Sequence, residues 1–301
     1  MKISIVIPNY NTWDLVNQNI SANLFFDDSL IYEIIIVDDC STSINTYYFP
    51  NKVKILKNNF NLHYTKSVNI GMRFAKGDII ILLDSDAYPM NNYISYLITL
   101  YESNFNLGCV GFKTVDEFYN DTGNVSNIPT IFSFILGQKL HSLIPKYFKY
   151  SIHKPQYPFS CAVSFRRKCL EDVGFLDEKF PVLEADNDLS FRINSSSWDL
   201  VYDEKIIIYH KGGNSIPKDY KRVLLHYEYL WKFLIKNNKI KFPFLILFFV
   251  KLRLYFEFTL LKIICFFNPT KNNKLKLYGR RCLLTNIKVF KPYNIISYKV
   301  S

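Results

Sequence analysis

The sequence predicts an α/β protein whose mainly parallel sheet is flanked by helices. Two observations carry this expectation. Short apolar runs alternate with segments of helical length, and the runs are continuous rather than alternately apolar and polar, as strands buried on both faces must be. The runs are Ile3–Pro8, Glu33–Asp38, Val53–Lys57 and Asp78–Asp84, separated by crossover-length segments. Between them, Thr12–Phe25 and Tyr64–Ala75 read as helices and Cys40–Ser43 as a Ser/Thr turn, with Gly77 placed where a glycine closes a helix. A chain of 301 residues with 49% hydrophobic content can bury a sizeable core.

The six cysteines are scattered, with no CxxC pair and no His/Cys cluster at zinc-ligand spacing, which points to a reducing, cytoplasmic setting. The opening "MKISIVIPNYN" holds an apolar stretch too short for a signal peptide and reads as a first buried strand. Charge is divided unevenly. Residues 1–219 carry 20 Lys and Arg against 24 Asp and Glu, whereas residues 220–301 carry 17 against 2. An acidic-to-neutral domain over 1–217 is therefore expected ahead of a strongly basic, aromatic-rich and mostly helical region over 218–301.

In open parallel sheets, ligands bind beyond the carboxyl ends of the strands. Polar residues fall there in three segments: Pro8-Asn9-Tyr10-Asn11, Asp38-Asp39 and Asp84-Ser85-Asp86. In an extended chain the last two carboxylates would face one point, roughly 6–7 Å apart. Like charges so placed repel, so a cation or full solvation is required. Asp38 and Asp39 could equally cap a turn with Ser41, and Asp86 a helix near Asn91. Asn69 sits mid-helix, where asparagine is unfavourable, so it either bonds a neighbour or faces a ligand.

Taken in order, these segments resemble the family 2 glycosyltransferases, whose domain has the nucleotide-sugar-binding GT-A fold. "VIPNYN" is similar to the opening nucleotide-contact segment, carrying Pro8, Tyr10 and Asn11, and "EIIIVDDCST" to the segment whose aspartate, here Asp39, reads the base. "NIGMRFAKGDIIILLDSDAYP" resembles the run into the DxD motif, and "FSCAVSFRRKCLEDVGFLDEKF" the acceptor-side strand and following turn. "LEADNDLSFRI" resembles the catalytic segment and "IIYHKGGNS" the late histidine loop, and the spacing is most similar to bacterial rhamnosyltransferase-like members that build cell-surface polysaccharide. The chain departs from the family pattern at one point: Glu-Asp-x-Asp becomes Ala185-Asp186-Asn187-Asp188, with Glu184 one position earlier.

The resemblance implies inverting sugar transfer from a nucleotide-diphosphate donor, a UDP- or dTDP-sugar, onto a glycan or lipid-linked glycan. A divalent cation, Mn²⁺ or Mg²⁺, would neutralise the leaving diphosphate, with Asp86 as direct ligand, Asp84 reaching the ribose or a metal-bound water, and His210 as a further ligand. Asp186 is expected as general base, its pKa raised by a neighbour such as Asp188, with Arg192 one turn on. A nucleotidyltransferase would need a Gly-rich, basic loop after the first strand, which Pro8-Asn9-Tyr10-Asn11 does not provide. A non-enzymatic nucleic-acid-binding protein would suit the basic C-terminal region, but not four acids at the strand ends.

The same region is expected to sit peripherally on the anionic inner face of the cell membrane, or to form a homo-oligomer contact. Phe242–Phe267 is long enough to span, yet Lys251, Arg253, Glu257 and Lys262 interrupt it and fall on two helix faces. Tyr227, Tyr229, Trp231 and the phenylalanines are the expected interfacial groups. Residues 113–160, the least family-like part, are expected to shape the acceptor site.

Overall fold

The four apolar runs of the N-terminal half pair side by side in the computed structural model, which describes residues 1–137, 156–210, 220–237, 240 and 242–286. They are Ile3–Asn9 (β1), Ile31–Asp38 (β2), Val53–Lys57 (β3) and Ile79–Leu83 (β4). β1 lies between β2 and β4, parallel to both, and β3 runs parallel to β2. Every residue of β4 is fully buried, as are Ile3, Ile5, Val6 and Ile7 of β1, which is why these strands read as unbroken apolar runs.

The crossovers are α1 (Trp13–Asp27) between β1 and β2, and α2 (His63–Phe74) between β3 and β4. The sheet continues through Tyr88–Pro89 (β5), Leu107–Val115 (β6), Ala162–Arg166 (β9) and Asp199–Tyr209 (β10), in the order β3-β2-β1-β4-β9-β6-β10-β5. β9 is antiparallel to β4 and β6, and β5 to β10, so the sheet is mixed but mostly parallel. Val125–Asn127 (β7) and Gln156–Pro158 (β8) form a separate ribbon. The remaining helices in chain order are α3 (Ile94–Ser103), α4 (Ile131–Leu136), α5 (Arg167–Val173), α6 (Ala185–Asn194), α7 (Tyr220–Asn237), α8 (Pro243–Phe267) and α9 (Lys271–Asn286).

Gly77 does not close α2. The helix ends at Phe74 with Ala75 as its cap, and Gly77 is not among the positive-φ glycines. Its need is steric: a Cβ there would meet Ser4 N at 2.6 Å and the Lys2 carbonyl at 2.8 Å, so the glycine lets this segment lie against β1.

The described residues of 1–128 and 154–212 form one compact unit, which holds the sheet, and those of 129–153 and 213–301 a second, helical one. In the second unit α8 packs against α4 and α9, and α9 also against α7. Trp231 is buried and stacked on Phe134 with ring centroids 5.7 Å apart, and Tyr229 is buried too. Core packing therefore takes two of the side chains that the sequence offered as membrane anchors. Much of "FSFILGQKLHSLIPKYFKY", from residue 138 on, and residues 211–215 of the late histidine loop lie outside the described residues.

Candidate active site

β4 ends at Leu83, and the chain turns at once, the amide of Ala87 donating to the carbonyl of Asp84 at 2.9 Å. Asp84 and Asp86 thus converge through a tight turn rather than along an extended strand. The turn is anchored from α1. Asn19, fully buried, donates its side-chain amide to the Asp84 carbonyl at 3.0 Å and also to that of Ala87. A buried asparagine in mid-helix is unfavourable alone and is retained where it satisfies such carbonyls.

His210 reaches the same point from β10. Tyr209 pairs with Tyr88 and Ile208 with Pro89, and the two tyrosine rings stack at 4.6 Å. The His210 backbone is held at both ends, its amide donating to Val115 at 2.9 Å and its carbonyl accepting from Thr122 at 3.0 Å. Its Nε2 lies 3.5 Å from Asp86 Oδ1. One ligand atom each from Asp84, Asp86 and His210 falls within 4.8 Å of the others. Two carboxylates and one imidazole make a donor set suited to a divalent cation of the Mn²⁺ or Mg²⁺ kind.

Tyr64, at the start of α2, donates its hydroxyl to Asp84 Oδ1 at 2.8 Å, and the same oxygen lies 3.1 Å from Ser160 Oγ. Burial, and then the Asp84 charge, hold this phenol well above its usual pKa, so it remains a donor. Burial likewise pushes the Asp84 carboxyl upward; His210 offsets part of the rise and Asp86 adds to it.

Ser160 and Cys161, just ahead of β9, link this group to Asp186. The backbone of Ser160 hydrogen-bonds Asp186. The Cys161 thiol is pushed well above its ordinary pKa by burial and then by Asp84, Asp186 and Asp86, so three carboxylates surround one neutral side chain. Asp186 stands in the first turn of α6 with its pKa raised to about 7, first by burial and then by the Glu184 charge, against hydrogen bonds from the Asn187 and Ser160 backbone. Glu184 holds a left-handed conformation at φ 69°, uncommon for a residue with a side chain, and accepts a short hydrogen bond from the Asn187 amide.

At the first strand's end, Asn9 joins the segments. Its Nδ2 donates to Asp38 Oδ1 at 3.1 Å, and its Oδ1 accepts from the Thr12 hydroxyl at 2.8 Å, whose oxygen also lies 3.0 Å from Ser85 Oγ. Pro8 is half-buried in β1 and Tyr10 is half-exposed. Asn11 holds a loop: its Oδ1 accepts from the Thr42 and Ser43 amides at 2.8 and 2.9 Å. Asp39 is buried, its Oδ1 accepting from Asn58 at 2.9 Å and from the Leu62 amide at 2.7 Å.

Three of the expected site residues are engaged elsewhere. Asn69 is fully buried, donates to the Leu176 carbonyl at 2.9 Å and to Glu178 at 3.0 Å, and accepts from the Leu176 amide at 3.1 Å. Its neighbour, not a ligand, satisfies it. Asp188 is fully buried and bound by Arg192 Nε at 2.9 Å, while the rest of the guanidinium donates to the carbonyls of Val173, Gly174 and Phe175. The pair clamps the α5–α6 connection, and Glu184 rather than Asp188 is the acid that raises Asp186. Sequence reasoning did not single out Asn19, Tyr64 or Ser160, and met Asn9 only as part of a polar strand end. Asn19 stands in its helix among Asn17, Gln18, Ser21 and Asn23, so nothing local set it apart.

Comparison with known proteins places this architecture. A mannosyltransferase from Pyrobaculum calidifontis, solved in complex with GDP-Man and Mn²⁺, superposes with a TM-score of 0.58 over 95% of this chain and 86% of that one, at 14% identity. An uncharacterized glycosyltransferase of Haemophilus influenzae is 31% identical over 123 residues, 40% of this chain and 41% of that protein. The Escherichia coli UDP-Glc:alpha-D-GlcNAc-diphosphoundecaprenol beta-1,3-glucosyltransferase WfaP is 35% identical over 106 residues, 34% of this chain and 41% of that protein. The chain thus spans about two fifths of the length of these two relatives. The sequence profile of Glycosyl transferase family 2 matches residues 4–174, more than half of the chain and the stretch that builds β1 through α5, and the chain belongs to that family.

Proposed function

We propose that the chain transfers a sugar from a nucleotide-diphosphate donor to a hydroxyl of a glycan or lipid-linked glycan, with inversion at the anomeric carbon. The observation that carries this reading is the convergence of Asp84, Asp86 and His210 with Asp186 around Ser160 and Cys161. A divalent cation at the first three would offset the charge that develops on the leaving diphosphate. Asp84 and Asp86 supply oxygen ligands, His210 a nitrogen ligand, and the Tyr64 hydroxyl fixes the Asp84 rotamer. Asp186, with a pKa of about 7, takes the acceptor hydroxyl's proton as the oxygen attacks. One base acting from the face opposite the leaving group gives inversion. Tyr10 and the Asn11 loop are offered to the base and ribose, with Asp39 held rigid beneath them.

That the superposed archaeal enzyme was solved with GDP-Man and Mn²⁺, and that the E. coli relative is named for a diphosphoundecaprenol acceptor, supports the donor, cation and acceptor classes proposed. The test is donor hydrolysis against a panel of UDP-, dTDP- and GDP-sugars with and without Mn²⁺, followed by transfer to lipid-linked acceptors. Turnover of at least one donor, lost in EDTA and restored by Mn²⁺, is expected; turnover undiminished by EDTA would remove the cation from the account.

A further inference from the structure

α8 is apolar on two opposite sides, and among the described residues only one of them is buried. Setting Phe244 at zero and turning by about 100° per residue, Leu247, Val250 and Leu254 centre near roughly 270°, and these are buried. Phe248, Leu252, Tyr255, Phe256, Ile263 and Phe266 fall between about 20° and 120° on the same wheel, and all are exposed, Phe256 by 70% and Phe266 by 82%. No charged residue falls within that arc.

The four charges that interrupt this segment lie at its margins. Lys251 and Lys262 sit at one edge, near about 340° and 0°, and Arg253 and Glu257 at the other, near roughly 180° and 220°. Arg253 and Glu257 are spent inside the unit: Arg253 donates to Glu257 at 3.1 Å and to the Tyr227 hydroxyl at 3.0 Å, and Arg280 of α9 also binds Glu257. Two charged faces in the sequence thus become a neutralised internal network and a lysine-edged apolar strip.

We infer that the exposed side of α8 is a docking surface for an anionic lipid bilayer, with the helix lying in the interface rather than crossing it. Three observations choose this occupant. The only two acids among residues 220–301, Glu228 and Glu257, are both ion-paired within the unit, Glu228 to Lys232 at 2.8 Å, so the remaining charge is positive. Lys271, Lys274, Lys276 and Arg281 of α9, the helix packed against α8, are exposed and add to the positive charge of this unit's surface. Two copies of so basic a unit repel each other, whereas an anionic leaflet attracts both its lysines and its phenylalanines. Among the described residues no helix is long and apolar enough to cross a membrane, and the buried side of α8, with its ion network, is committed to protein contacts.

This inference does not rest on the catalytic reading, because binding is scored without donor or metal. The experiment is flotation of the full chain with vesicles of phosphatidylcholine alone and with graded phosphatidylglycerol. Flotation is expected only with the anionic vesicles, falling with salt and reversed by alkaline carbonate. Leu252→Glu with Phe256→Glu should weaken binding by about tenfold or more with an unchanged melting midpoint, and the milder Leu252→Ser with Phe256→Ser should weaken it less. Phe105→Glu, at an exposed phenylalanine of the other unit, should bind like wild type. Failure to float, equal flotation on neutral vesicles, retention through carbonate, or wild-type binding by both Leu252/Phe256 variants overturns the inference. So does a dimer that Leu252→Glu dissolves.

Discussion

The chain carries two Asp-x-Asp triplets, Asp84-Ser85-Asp86 and Asp186-Asn187-Asp188, and the backbone gives them opposite uses. The first lies on a turn leaving a buried strand, where both carboxylates and His210 reach one point. The second opens a helix, where residues two apart point about 200° away from each other. Asp188 turns inward to Arg192, and Asp186, on another side of the helix, is left to the Ser160 backbone and the Glu184 charge. Identical spacing therefore says little until the period of the local backbone is known. The pKa of Asp186 depends on this division, because its neighbouring charge comes from Glu184 and not from the neutralised Asp188.

Breaking the second triplet at its outer member has the largest expected effect. Asp186→Asn should lower transfer by about 10²–10⁴-fold with donor affinity nearly unchanged, since the lost group acts on the acceptor. The same variant should be more stable than wild type at pH 7.5. Asp186 has a folded-state pKa of about 7, above the ordinary value of 3.8, so the native state binds the extra proton between those values. Wild-type stability should fall as pH rises through that window, by on the order of 1 kcal/mol from this half-buried group, and the asparagine variant should lack the slope. For activity the sign is reversed: kcat should rise with pH through an apparent pKa near 7 as the base loses its proton.

Breaking the inner member tests the clamp. Arg192→Ala strands a buried carboxylate at Asp188 and frees three carbonyls, so about 3 kcal/mol of stability should be lost in denaturant titration. Donor KM, measured below the melting range, should stay near wild type; a large KM change there would give Arg192 a part in substrate binding. The smallest effect is expected at Glu184. Glu184→Gln removes the charge that raises Asp186, so the pH–rate profile should move toward lower pH with kcat at high pH little changed.

The sheet and the pairing of Asp84 with Asp86 were legible because both follow from local pattern: unbroken apolar runs mark the central strands, and polar residues stand at their ends. The antiparallel β9 was not legible, because direction depends on where the chain re-enters the sheet. The structural ties of Asn69 and Arg192 were not legible for a related reason. Their partners at Leu176, Glu178 and Val173–Phe175 lie on a turn that only the tertiary structure brings to α2 and α6. Tyr64 escaped notice since its partners stand 20 and 96 residues away. On α8 the positions of the charges were readable but their pairing was not, and the pairing separates an apolar strip from a broken one.

Binding of Mn²⁺, followed by calorimetry or by the loss of its free-ion EPR signal in the presence of nucleoside diphosphate, compares the two triplets most directly. Wild type and Asp188→Asn should bind the ion with similar affinity, and Asp86→Ala should lose it while keeping its fold by circular dichroism. Retention of the ion by Asp86→Ala, or its loss from a folded Asp188→Asn, would contradict the assignment of the first triplet to the cation and the second to base and clamp.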